Sequence, residues 1–181
     1  MSEVNTRSGI RSAIEACDWA VIGGTGLEVM NALRNPVRTA VETPFGTPSS
    51  DVVVGQLGSS RVAFLSRHGE QHALAPHQIN YRANMYALSL FTNTVIAVAA
   101  VGSISPSLHP GELVVPAQVI DYTWGREHTY SGLLPGDESN EELLGAVLHV
   151  DFTAPYDNSL RSRLLNAGAV ASARVHEFTW M

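Results

Sequence analysis

An α/β fold is predicted by three observations along the sequence. Short apolar runs rich in β-branched residues, at 19–22, 51–54, 61–65 and 94–101, have the length and composition of strands. Two stretches, 80–91 and 158–167, carry apolar residues at helical spacing instead. Glycine-rich or polar clusters stand where strands end: Gly23 to Gly26, Ser66 to His72 and Gly102-Ser103. Strands interleaved with helices define the class, and sites in such folds gather at the carboxyl ends of strands. A chain of 181 residues suits one domain spanning 1–181, with enough apolar sequence to bury a core.

Each element follows in order. Trp19-Ala20-Val21-Ile22 is short, apolar and followed at once by four residues with three glycines, so it reads as a buried strand ending in a tight turn. Thr43 to Ser50 is a Pro/Gly/Ser loop. Asp51 to Val54 and Arg61 to Leu65 read as strands around a turn at Gly55 to Ser60, and the His-rich Ser66 to Gln78 as a loop. Ala83, Tyr86, Ala87 and Leu90 share a helical face within Asn80 to Phe91. Thr94 to Val101 is expected to be a central buried strand. Glu112 to Val115 and Gln118 to Asp121 read as further strands, and Thr123 to Asn140 as a polar loop. The last helix, Asn158 to Ala167, has Asp157 as its expected N-cap.

Composition removes several function classes. A net charge of −6 argues against a nucleic-acid footprint or a polybasic membrane patch. All 11 basic residues are Arg, so no Schiff-base lysine and no Walker A lysine are available. Any anion site must use Arg, His, hydroxyls and backbone N–H groups. Cys17 is the single cysteine, which rules out an intrachain disulfide and reads as a small core or surface residue. The first residues lack the apolar stretch of a secretory signal, and no run has the length of a membrane span, so a cytoplasmic protein is expected.

Four clusters could carry chemistry. The turn Gly23-Gly24-Thr25-Gly26 lets backbone N–H groups approach an anion, with Thr25 adding a hydroxyl. It lacks the third glycine of a dinucleotide fingerprint, and such a turn is often only a turn. Arg67-His68, at a strand end, offers a planar guanidinium fork and an imidazole, which suit a phosphate or carboxylate. The bland alternative is a solvated surface arginine. His68, His72 and His77 invite a zinc reading, but no H-E-x-x-H and no acidic ligand set accompany them, so no metal is expected. Gly125 to Tyr130 is a dense polar stretch that could hold a ligand, cross a subunit boundary or be a salt-linked surface loop. No G-x-S-x-G elbow is present.

Together these pieces resemble the purine nucleoside phosphorylase and methylthioadenosine phosphorylase family. Ile22 to Leu27 resembles its opening phosphate-binding turn, Glu42 to Ser49 its next loop, and Ser66-Arg67-His68-Gly69 its Arg-His motif. His77 to Asn84 with Tyr86-Ala87-Leu88 is similar to the entry of its central helix. Ile120 to Thr123, Gly125 to Tyr130, and His149 to Asp157 resemble the methylthioinosine branch in particular. The resemblance runs over about 20–166, leaving 167–181 as a divergent tail.

The resemblance implies a mixed central β-sheet flanked by helices. It also implies phosphorolysis in purine salvage: phosphate attacks C1′ of a nucleoside such as S-methyl-5′-thioinosine or 5′-methylthioadenosine, giving a free purine and a ribose 1-phosphate. By it, Thr25, Arg67 and His68 bind phosphate, Ala100 and the Gly102 turn lie beneath phosphate and ribose, and His149 lines the 5′-substituent pocket across a trimer interface. A homotrimer is implied, with nucleoside and phosphate as small-molecule partners and no cofactor. Ala99 stands where the family carries a polar residue. The family's later Gly-Pro-Arg motif, ribose Met, second phosphate Thr and purine-binding acid or amide have no counterpart here, so no catalytic residue is assigned. The expectation is a C-terminally truncated fold, its last third replaced through a frameshift or early stop. Three readings stay open: an active phosphorylase, a catalytically inactive homologue retaining phosphate binding or trimer assembly, and an unrelated anion-binding α/β module.

Overall fold

A computed structural model describes residues 14–24, 32–130 and 149–178. The chain divides into two compact units, residues 1–100 with 126–147, and 101–125 with 148–181.

The first unit is built on a five-stranded mixed sheet. Its strands are β1 (Trp19–Gly23), β2 (Arg34–Thr39), β3 (Val52–Leu57), β4 (Ser60–Ser66) and β5 (Val95–Val98), in the order β2-β3-β4-β1-β5. β1 pairs parallel with both β4 and β5, while β2-β3 and β3-β4 are antiparallel. The β3-β4 hairpin turns on Gly58-Ser59 alone, with Leu57 opposite Ser60. Gly58 adopts φ 63°, the left-handed value that tight hairpin turns require. The turn expected at Gly55 to Ser60 is therefore shorter, because both strands extend into it.

Strand alternation sorts the core onto two faces. Ala20, Ile22, Val52, Val54, Ala63 and Leu65 face one way and pack with Tyr86, Ala87, Leu88 and Phe91 of the helical segment. Val21, Val53, Val62 and Phe64 face the other way, with Leu33, Trp19 and Val98. Burying a Leu or Phe of this kind contributes roughly 1.5–3 kcal/mol. The helix α1 (Tyr81–Ser89) starts at Asn80, whose side chain accepts from Ala83 N–H at 3.0 Å. Cys17 lies in the same core, and burial pushes its thiol above the ordinary value despite the Arg61 guanidinium nearby. It is a core residue.

Two expectations about the first unit change. β2 was not expected, since Arg34, Pro36 and Arg38 give it no apolar alternation. It forms because it is an edge strand, where Pro and charge are tolerated, and its pairing with β3 slips between Arg34 and Val37. The 94–101 run, expected as a central buried strand, is regular only over Val95–Val98 and forms the edge of the described sheet, with residues half-buried or exposed. Apolar composition marks a strand but does not say how many neighbours it has.

The second unit pairs β6 (Leu113–Pro116) with β7 (Val175–Phe178) in parallel, with α2 (Asn158–Val170) joining the pair. Asp157 caps α2 as expected, accepting from Leu160 N–H at 2.6 Å. The expected strand Gln118 to Asp121 does not form. Gln118 turns its amide to the carbonyls of Phe152 and Thr153, and Asp121 accepts from the backbone N–H and hydroxyl of Thr123. Such local side-chain bonds compete with a strand ladder. β7 lies in the tail that was expected to diverge.

Candidate functional site

The parallel order β4-β1-β5 sets three carboxyl ends side by side. Gly23 is the register partner of both Ser66 on β4 and Val98 on β5. Arg67 continues this alignment beyond the sheet, since its backbone N–H donates to Gly23 O at 2.8 Å. Its guanidinium then crosses the end of β1, where Nη1 donates to Val98 O at 3.4 Å. Gly24 lies beneath that crossing: a Cβ placed there would stand 3.3 Å from Arg67 Nη2 and 3.6 Å from His68 Cδ2.

His68 is fixed by the loop that follows. Its Nδ1 lies 2.9 Å from Leu74 O, and its own carbonyl accepts from Leu74 N–H at 2.9 Å. A carbonyl only accepts, so Nδ1 carries the proton and the neutral ring presents Nε2 as an acceptor. His68 also stacks on His72, with ring centroids 4.4 Å apart. Gly69 makes the bend possible at φ 75°, where Ser49 O would lie 3.1 Å from any Cβ.

A buried network carries this loop. Asn84 on α1 is fully buried and holds Ser49 twice, accepting from its N–H at 2.7 Å and donating to its Oγ at 2.9 Å. The neighbouring Ser50 Oγ accepts from Ser66 N–H at 3.1 Å, just before Arg67. Sequence reasoning missed Asn84 and Ser50. The signal for Asn84 was an amide on the apolar side of an amphipathic helix, which marks a satisfied buried group.

Of the residues singled out from sequence, Arg67 and His68 come together over Gly24. Ala100 is exposed, two positions beyond Val98. Thr25 lies outside the described residues. Gly102 and His149 belong to the second unit, where both are exposed, and a Cβ on Gly102 would meet nothing within 4 Å.

The 126–130 stretch packs on its own chain. Glu127 pairs with Arg82, Tyr130 OH donates to Arg82 O at 2.8 Å, and the Tyr130 ring lies 4.9 Å from Phe45. Arg126 sits over Tyr81 at 4.8 Å. Among the described residues no group of three His, Cys, Asp or Glu could hold a metal, and no helix is long and apolar enough to cross a membrane.

The Arg67 guanidinium and the His68 imidazole, groups of the kind that can pair with an anion, are thus held beside Gly24 at three parallel strand ends. The family model described as Phosphorylase superfamily matches residues 18–180, which includes every one of these elements. The chain belongs to the phosphorylase superfamily. The match extends past Asn166 through α2 and β7.

Relatives in this superfamily agree. A probable S-methyl-5′-thioinosine phosphorylase of Xylella fastidiosa is 46% identical over 160 residues, covering 88% of this chain and 64% of that protein. An S-methyl-5′-thioadenosine phosphorylase of Hyperthermus butylicus is 42% identical over 160 residues, covering 88% and 54%. Among solved structures, a methylthioadenosine phosphorylase from an antarctic soil metagenomic library superposes with a TM-score of 0.75 at 39% identity. That match covers 91% of this chain and 55% of the other. The chain thus spans less than two thirds of these relatives' length.

Proposed function

We propose that this phosphorylase-superfamily chain carries the phosphate side of a purine nucleoside phosphorylase site and acts in purine salvage. Inorganic phosphate attacks C1′ of S-methyl-5′-thioinosine or 5′-methylthioadenosine. The C1′–N9 bond breaks, its electron pair leaves with the purine, and methylthioribose 1-phosphate forms. The observation that carries this reading is the Arg67 guanidinium lying across β1 beside His68 and above Gly24. A phosphate dianion must be held under a carbon that becomes cationic as the base departs. Fixed donors at the strand ends supply that positioning.

In this reading Thr25, Arg67 and His68 bind phosphate, with the His68 Nε2 accepting from a phosphate hydroxyl or, as imidazolium, donating. Ala100 and Gly102 lie beneath phosphate and ribose, and His149 borders the 5′-substituent. The two units belong to one domain, the assembly is a homotrimer, and the protein works in the cytoplasm. Inorganic phosphate is a co-substrate, and no cofactor takes part. The Asp121 to Tyr130 segment and the Xylella relative favour methylthioinosine.

A second reading is an inactive homologue that keeps phosphate binding or assembly. It is favoured by the share of the relatives spanned, 64% of the Xylella protein and 54% of the Hyperthermus protein. Incubation with methylthioinosine, methylthioadenosine and inosine, with and without phosphate, separates the two. Phosphate-dependent purine release from any of them establishes phosphorolysis. No release, with phosphate still raising the melting temperature, establishes the second reading.

A further inference from the structure

The Arg67 guanidinium that reaches Val98 O lies against Gly24. Within 4 Å, and among the described residues, the atoms a Cβ on Gly24 would meet are Arg67 Nη2 at 3.3 Å and His68 Cδ2 at 3.6 Å. Gly24 is not among the residues with positive φ, so φ alone does not call for glycine here. Among the described residues, the side chains of Arg67 and His68 are what a side chain at position 24 would meet.

The contact leaves little room. A Cβ at 3.3 Å pushes its neighbour back by a few tenths of an ångström. The Arg67 Nη1 to Val98 O bond is already 3.4 Å long, close to the limit of a hydrogen bond. A small displacement of the guanidinium away from β1 breaks it, and the head of Arg67 loses that anchor. We propose that Gly24 is a positioning residue for Arg67: its missing side chain is the slot in which the guanidinium lies, so that the fork faces a phosphate at the strand ends. The proposal rests on Arg67 being a phosphate ligand, and it assigns Gly24 a task separate from any backbone N–H it offers.

The test uses Gly24→Ala and Gly24→Val in the whole chain, each with and without Arg67→Ala. The first arm needs no phosphate. The Arg67 Nε–H cross-peak in a ¹H–¹⁵N spectrum, identified by its loss in Arg67→Ala, moves in Gly24→Ala and further in Gly24→Val. An unmoved peak overturns the proposal.

The second arm is calorimetric titration with inorganic phosphate. Gly24→Ala weakens binding about tenfold, the loss of one charge-assisted contact. In the Arg67→Ala background the same substitution changes affinity less than about twofold. A full tenfold loss in that background overturns the proposal, since Gly24 then acts on phosphate directly. A wild-type chain that binds no phosphate defeats the ligand role of Arg67 and leaves the spectrum to decide Gly24. Unchanged melting temperatures of the Gly24 variants without phosphate separate positioning from loss of fold.

Discussion

The backbone N–H of Arg67 donates to the carbonyl of Gly23 at 2.8 Å, extending the β1-β4 register by one residue past the strand ends. The root of the guanidinium is thereby fixed to the turn that it overhangs. Its head spans to Val98 O. Only a long planar fork can hold that anchor and still offer donors to an anion. Arg67→Lys should therefore keep the charge but weaken phosphate binding about tenfold, measured by titration. Equal affinity would show that charge alone matters here.

His68 should populate the Nδ1–H tautomer when neutral, because Leu74 O faces Nδ1 at 2.9 Å. Long-range ¹H–¹⁵N correlation spectra distinguish the tautomers directly. A dominant Nε2–H form would contradict the geometry.

Asn84 is buried and is bonded to both the N–H and the Oγ of Ser49. Asn84→Ala removes the acceptor of a backbone N–H and should destabilise the chain by about 1–3 kcal/mol. Urea unfolding measures the loss. A change below about 0.5 kcal/mol, the scatter of ordinary surface substitutions, would show that water replaces the amide.

Sequence and structure agree most closely where the chemistry is local. The strand 19–22, the Asp157 cap and the helix from Asn80 are set by neighbours within a few residues. So is the pairing of Arg67 with His68. β2 escaped because an edge strand needs no apolar alternation. β5 is the edge of the described sheet, although a run of Val, Ile and Ala looks the same with one partner as with two. Gly24 was read as part of a tight turn that lets backbone N–H groups approach an anion, whereas its steric part depends on Arg67, far along the chain. Only strand order reveals that contact.

Gly168 lets α2 approach β7. A Cβ there would fall 2.1 Å from Val175 Cγ2. Gly168→Ala should push the helix and strand apart, costing about 1–3 kcal/mol by overpacking. Hydrogen exchange at the amides of Val175–Phe178 should accelerate. Unchanged protection would place the helix elsewhere.

Glu112 joins the start of β6 to β7, accepting from His176 Nε2 at 2.9 Å and Arg174 Nη1 at 3.2 Å. The His109 N–H, with those two donors, lowers its pKa to about 2 from the ordinary 4.5. A carboxylate depressed in the folded state stabilises the fold above about pH 4.5 and loses that contribution as pH falls towards 2. Glu112→Gln should therefore flatten the pH dependence of stability across that interval, read from melting temperatures. A variant that tracks the wild type down to pH 2 would exclude the carboxylate as the cause.

If the ends of β1, β4 and β5 form a phosphate site through Arg67, phosphate affinity depends on that guanidinium. Titration of the wild-type chain and of Arg67→Ala with inorganic phosphate, in a buffer free of other multivalent anions, tests it most directly. The wild type should bind saturably and the variant should lose tenfold or more, about 1.4 kcal/mol or greater. No binding by the wild type, or equal affinity in both, would contradict it.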